Sequence, residues 1–272
     1  MPDTASKIHS SAVVQGDVMI ADDVIIGPNC VIDGTIGPIR VGAGCRLIAN
    51  CYLTGPLTLG EHNTLWPSVS LGTPPQDVGT DPYKPGAGLE IGNHNVFREG
   101  FTAHRAKTDT PTSIGEHNYF MSCSHVGHDC QVGNHIQLAN GSLLAGHVTM
   151  GDKVIMGGGA GVHQFCRVGE GVFFRGLAGA SMDVPPWCIV IETNRIAGLN
   201  LVGMRRSGMS SEDLQRRRSI FRLMYRQGLS MASVVTQLRA DADPIAIEYA
   251  DFIEASKRGV CHTRDRSARH SG

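Results

Sequence analysis

The 272-residue sequence is rich in glycine, with 34 of them or one residue in eight, and sparse in charge at 18%. Lys and Arg total 24 against 25 Asp and Glu, which excludes a strongly basic nucleic-acid binder, and a hydrophobic fraction of 41% excludes bulk disorder. No apolar run approaches the roughly 20 residues of a membrane helix, and the opening MPDTASKIHS has neither the basic nor the apolar region of a signal peptide, so a cytoplasmic chain without a membrane span is expected.

From the N-terminus onward, aliphatic residues return at every sixth position: Ile8, Val14, Ile20, Ile26 and Ile32, then Val41 through Leu71 after three extra residues. The register reappears at Ile91 and Phe97 and then runs unbroken from Ile114 to Phe174. Glycine often follows the aliphatic, as in Ile26-Gly27, Leu71-Gly72 and Val132-Gly133. A spacing of six fits no helical face, because successive positions would fall about 120° apart on an α-helix. A short strand and a tight turn, repeated, satisfies both the period and the glycines. Three such units make a triangular circuit of eighteen residues with the aliphatics inside, and the circuits stack as a β-solenoid.

Two segments interrupt the count. The stretch TPPQDVGTDPYKPGAGLE, at about 73–90, is rich in Pro, Gly and Asp and reads as a loop extruded from a corner. A shorter insertion falls at about 104–113. Insertions gathered on one side of a solenoid mark its binding face. Beyond residue 194 helical signals replace the six-residue period. Helix starts are expected at Ser210-Ser211-Glu212-Asp213, near Ser230 and at Asp243-Pro244. The division expected is thus a solenoid over 1–194 and a small α-helical domain over 195–272.

Eight cysteines show no CxxC pair and no zinc spacing, so they read as small buried fillers. The eighteen-residue circuit aligns His128, Gly146 and Gln164 in one column and Asp129, His147 and Phe165 in the next. His125, His163 and His104 lie close by on the same count. Three readings of the cluster stand on the columns alone. His128 could act as a general base supported by Asp129, with the Gly146 N–H facing a developing oxyanion. The same residues could be ordinary polar groups at solenoid corners. They could also form a histidine metal site. Downstream, Arg205, Arg206, Arg216, Arg217, Arg218, Arg222 and Arg226 suit a basic patch on the helical domain for phosphate or an acidic partner, or a solvated helix face.

The segments His125-Val126-Gly127-His128-Asp129-Cys130, Leu144-Ala145-Gly146-His147-Val148, Val162-His163-Gln164-Phe165-Cys166, Asp183-Val184-Pro185-Pro186 and the stretch from Asn200 to Gly208 resemble the UDP-N-acetylglucosamine O-acyltransferase family, almost end to end. The resemblance implies a mainly β fold, a left-handed parallel β-helix of hexapeptide repeats followed by a helical C-terminal domain. The hand comes from the resemblance, since the general crossover rule favours the right hand. It also implies a homotrimer with sites between subunits, acyl carrier protein as donor, a UDP-sugar as acceptor, no cofactor and no metal, in the first step of lipid A synthesis. By the same resemblance His128 takes the proton from the sugar 3-hydroxyl, Asp129 supports it and Gly146 stabilises the oxyanion. Gln76 and Asp77 hold the sugar, His125, His147 and Gln164 line the sugar and acyl sites, Asn200 and Arg206 grip the nucleotide, and Gly176 floors the acyl channel. The arginine-rich domain then suits the acidic carrier.

The sequence departs from the family pattern at three places. The loop Gln-Asp-x-Lys is Gln76-Asp77-Val78-Gly79 here, with Lys84 the nearest lysine along the loop; Val202 replaces a glutamate; Arg195 stands for a histidine. These leave two alternatives beside the family reaction: an acceptor such as a 3-amino sugar nucleotide, or a non-catalytic homologue.

Overall fold

The computed structural model describes residues 7–241 and 243–263; the remainder of the two expected domains, at either end and at Ala242, lies outside the described residues. The chain winds as a left-handed parallel β-helix. Nearly every strand is two or three residues long, and pairs in parallel with the strands of the circuits before and after it. The six-residue register is the inner face: Leu47, Leu53, Leu65, Phe97, Phe120, Val126, Leu138 and Phe174 are at most 1% exposed. Burying each such side chain contributes about 1.5–3 kcal/mol relative to exposure.

Strand register tests the circuit length directly. His125 pairs with Leu143, Leu143 with Gly161 and Gly161 with Gly179, so each of these circuits advances by eighteen. Lower in the stack the step widens where chain is extruded, from Leu65 to Phe97 and from Phe97 to Phe120. Strand Ser70–Thr73 is followed only at Leu89–Ile91 by the next strand, and strand Thr102–His104 only at Thr112–Ile114.

The insertions are tied to each other by Arg105, whose side chain is fully buried. Its guanidinium donates to the carbonyl oxygens of Gly72, Pro82 and Lys84. Ala106 adds a hydrogen bond from its N–H to the Gly88 carbonyl.

Corner residues repeatedly take left-handed backbone angles. At Asp129, His147 and Phe165 φ is 60°, 60° and 63°, a conformation that costs a side-chain-bearing residue roughly 1–2 kcal/mol and that the stacked strands impose.

Above the solenoid, strand Arg195–Leu199 turns back antiparallel on Cys188–Glu192. The first residues of the segment expected to be helical therefore extend the sheet instead. Four helices follow: α1 (Leu201–Arg206), α2 (Ser211–Arg226), α3 (Met231–Ala240) and α4 (Pro244–Glu254). Ser210, Ser230 and Asp243 cap the last three, each accepting a backbone N–H from the first turn. Ile220, Met224, Val234, Leu238, Tyr249 and Ile253 form their core. All eight cysteines are free and seven are buried. No helix among the described residues is long and apolar enough to cross a membrane.

Candidate active site

Four consecutive circuits build one groove. Strand Thr102–His104 lies below strand His125–Val126, which lies below Leu143–Leu144 and then Gly161–Val162. The groove encloses about 830 Å³ and is lined by Gln76, His104, His125, His128, Gly146 and His163 among others.

His128 leaves its strand at the corner and turns its Nδ1 to the Asp129 Oδ2, 2.6 Å away. The Asp129 side chain is only 4% exposed and is held from all sides. It accepts the backbone N–H groups of Lys107 at 3.1 Å and Thr108 at 3.0 Å and the Thr108 hydroxyl. The Asp129 N–H itself donates to Thr112 Oγ1 at 2.7 Å. Burial pushes this carboxyl up, but the hydrogen bonds from Thr108, His128 and Lys107 outweigh it and leave it below the ordinary carboxylate range. An ionised partner at Nδ1 selects the imidazole tautomer that carries its proton there, so Nε2 presents a lone pair to the groove.

Gly146 sits one circuit on, against the His128 ring. A Cβ built on it would lie 2.7 Å from both Cε1 and Nε2 of His128, so any side chain would displace the imidazole. No hydrogen bond from the Gly146 N–H occurs among the described residues, and the same holds for His128 and Gln164 at the same corner position. The missing side chain therefore distinguishes Gly146, whose unpaired N–H stands beside His128.

The neighbouring histidines are not equivalent. His104 is buried at 4% exposure and packs edge-on against His125 with ring centroids 4.7 Å apart. Burial, then the nearby His125, His128 and Arg105, hold His104 down at about 4. Burial also lowers His125, whose Nδ1 is 2.7 Å from Thr102 Oγ1. His147 is lowered by burial against the opposing pull of Asp129, and it stacks on Phe165 at 4.5 Å. Burial thus favours the neutral form of His104 and His125, which line the groove, while His147 is not among its lining residues.

His128, Asp129 and His147 are also the one set among the described residues whose ligand atoms lie close enough to hold a metal, all within 4.8 Å. However, Nδ1 and Oδ2 are in direct hydrogen-bond contact at 2.6 Å. Two zinc ligands about 2 Å from one ion would stand further apart than that. The arrangement fits a dyad better than a metal cage.

Several expected site residues fall elsewhere. Gln164 is exposed and does not line the groove, and neither does Gly176, where an added Cβ would meet only the Gly158 carbonyl oxygen at 3.5 Å. Asn200 and Arg206 line a separate cavity of about 680 Å³ with His135, Lys153, Trp187 and Val202. Much of the Asn200 amide is already engaged. It accepts the Gly203 N–H as the cap of α1 and donates to the Gly171 carbonyl. Within one chain these residues do not meet the dyad.

The structure also bears on Lys84 and on the arginine cluster. Lys84 does not serve Asp77: its loop folds back so that the Lys84 carbonyl supports Arg105, and the Asp77 carboxylate is ion-paired with Lys107. The arginine cluster also divides. Arg216 pairs with Asp241 and Asp243, and the buried Arg217 with Glu248, whereas Arg205, Arg206, Arg218, Arg222 and Arg226 make no ion pair among the described residues. Lys107, Thr108 and Thr112 were missed by the sequence reading. Thr112 lies 17 residues before Asp129, close to one circuit, which is a signal that could have found it, whereas Lys107 and Thr108 fall off the count.

A hexapeptide solenoid with a carboxylate-supported histidine beside a side-chain-free backbone donor defines a solenoid acyltransferase. The comparisons agree. A family model described as UDP-N-acetylglucosamine O-acyltransferase, domain 2, matches residues 183–261. The acyl-[acyl-carrier-protein]--UDP-N-acetylglucosamine O-acyltransferase of Thermodesulfovibrio yellowstonii is 35% identical over 94% of this chain and 99% of its own length. That of Stutzerimonas stutzeri is 36% identical over the same shares. The solved UDP-N-acetylglucosamine acyltransferase of Francisella novicida superposes with a TM-score of 0.89 at 33% identity, covering 96% of each chain. The Arabidopsis enzyme superposes with a TM-score of 0.78 at 30% identity, over 93% of this chain and 99% of that one. The chain belongs to the acyl-[acyl-carrier-protein]--UDP-N-acetylglucosamine O-acyltransferase family.

Proposed function

We propose that this chain transfers a β-hydroxyacyl group from acyl carrier protein to the 3-hydroxyl of UDP-N-acetylglucosamine, with His128 as general base. The observation that carries this reading is the His128–Asp129 contact of 2.6 Å, which leaves Nε2 free beside Gly146. In the reaction Nε2 takes the proton of the 3-hydroxyl as its oxygen attacks the thioester carbonyl. The carbonyl oxygen becomes an oxyanion facing the Gly146 N–H. Collapse of the tetrahedral intermediate breaks the C–S bond, and the imidazolium returns its proton to the departing thiolate. Asp129 holds the ring orientation and stabilises its charged state throughout.

Gln76 and Asp77 hold the sugar at the mouth of the groove, and His125, His147 and Gln164 complete the sugar and acyl sites. Gly176 floors the acyl channel. Asn200 and Arg206 of an adjacent subunit grip the nucleotide, which makes the working unit a homotrimer with the site shared between chains. Their separation from the dyad within one chain supports that assignment. The acidic carrier docks on the unpaired arginines of the helical domain, Arg218 and Arg222 among them. The protein then works in the cytoplasm at the first step of lipid A synthesis, without a cofactor.

The decisive assay supplies β-hydroxyacyl carrier proteins of graded chain length with UDP-N-acetylglucosamine or its 3-amino analogue. Turnover with the former, and loss of at least about 10³-fold in kcat for His128→Ala with the fold intact, is the expected result. Near-normal activity of that variant removes His128 as base. Preference for the amine moves the assignment to a 3-amino acceptor, and binding without any turnover makes the chain a non-catalytic homologue.

A further inference from the structure

We infer that Lys107 is a positioning residue of the acceptor site that ties the sugar-binding carboxylate, through its side chain, to the catalytic dyad, through its backbone; this deepens the proposed function and rests on it. Lys107 contacts both acidic groups of the site from one residue. Its backbone N–H donates to Asp129 Oδ2 at 3.1 Å, and its ammonium is ion-paired with Asp77. The side-chain bond and the charge of Lys107 hold the Asp77 carboxyl below its ordinary range, with His128 and His147 contributing in the same sense. Asp77 is therefore fixed as an acceptor-only carboxylate, aimed from a loop that has few anchors of its own. Val78 beside it is 99% exposed, and Gly79 has nothing within 4 Å of the position its Cβ would occupy.

The half-exposed setting of the pair, with side chains 46% and 42% accessible, would make it a weak contributor to stability. Its placement gives it a different use. The main-chain half of Lys107 belongs to the dyad and survives any substitution of the side chain, whereas the ammonium reaches only Asp77. The two functions can be separated by mutation. Lys107→Met removes the cation and leaves the N–H on Asp129, so the sugar should be held poorly while the chemistry proceeds at its usual rate once it is bound.

The test compares Lys107→Met, Lys107→Arg and Lys84→Met in steady-state kinetics with a saturating β-hydroxyacyl carrier donor. It also measures UDP-N-acetylglucosamine binding calorimetrically without donor. Lys107→Met is expected to raise the acceptor KM about tenfold or more with kcat changed less than about threefold. Binding should weaken by a similar factor, Lys107→Arg should recover most of the loss and Lys84→Met should match the parent. An unchanged KM and affinity in Lys107→Met overturns the inference, as does a loss confined to kcat. The calorimetry keeps the two claims apart. A parent protein that binds the acceptor but never turns over defeats the transfer reaction alone, and a parent that turns over normally while Lys107→Met binds normally defeats the role of Lys107 alone. A parent that does not bind the acceptor defeats both.

Discussion

The dyad groove and the Asn200–Arg206 cavity are made from the same chain by opposite means. In the groove, burial disfavours the charged forms of His104 and His125, and the carboxylate of Asp129 is enclosed by donors. In the cavity, Arg206 and a Lys153 ion-paired with Glu170 stand beside Trp187, Phe173, Ile155 and Ile189. The first environment suits the movement of protons, and on the proposed reading the second suits an anion that carries a flat ring. Chemistry and recognition are thereby assigned to separate places, and each can be damaged without the other.

The sharpest way to break the comparison is Gly146→Ala. Backbone angles at Gly146 do not require glycine, so the protein should fold. The added methyl would stand 2.7 Å from the His128 ring, and kcat should fall roughly 10²–10³-fold, on the scale of losing an oxyanion donor, with acceptor affinity nearly kept. Equal losses in kcat and affinity would show that the groove also does the recognising.

Arg206→Ala should do the reverse. The acceptor KM should rise about tenfold, as for loss of a charge-assisted contact to phosphate, while kcat stays within about threefold. A purely kcat effect would place the nucleotide elsewhere.

The smallest expected effect is on stability. His104 is held at about 4 in the fold against an ordinary value near 6.5. A base whose pKa is depressed on folding supports the native state fully above about 6.5 and withdraws that support as pH falls toward about 4, by roughly 3 kcal/mol in all. Denaturation midpoints measured from pH 7 to 4.5 should therefore decline less steeply in His104→Asn than in the parent. Parallel slopes would mean that the ring is hydrated in the native state.

Much of the groove was legible because a strict period turns sequence distance into height. Eighteen residues bring Gly146 against His128, and the same step sets His147 beside Asp129. The arithmetic fails wherever chain is extruded. Lys107 lies 22 residues before Asp129 and 30 after Asp77, so no count links them, whereas Lys84 is seven residues from Asp77 and folds away. The helical region has no period to exploit. There, the division of the arginines into paired and unpaired depends on where α3 and α4 place Asp241, Asp243 and Glu248. Helix α1 is also hidden, being six residues long with Gly203 inside it and stabilised by the Asn200 cap more than by propensity.

The buried guanidinium of Arg105 has a consequence for how the site withstands damage. From the shorter excursion it clamps carbonyl oxygens at the base of the longer one and within it, and the two residues that follow Ala106 deliver their N–H groups to Asp129. A proteolytic nick or a shortening near Pro82 would leave that enclosed cation with the Gly72 carbonyl but without those of Pro82 and Lys84, a costly state. The strain would be relieved by shifting the neighbouring backbone, including the part that cradles the catalytic carboxylate. Two loops separated in sequence thus behave as one mechanical part, and trimming the outer one should be felt at the imidazole.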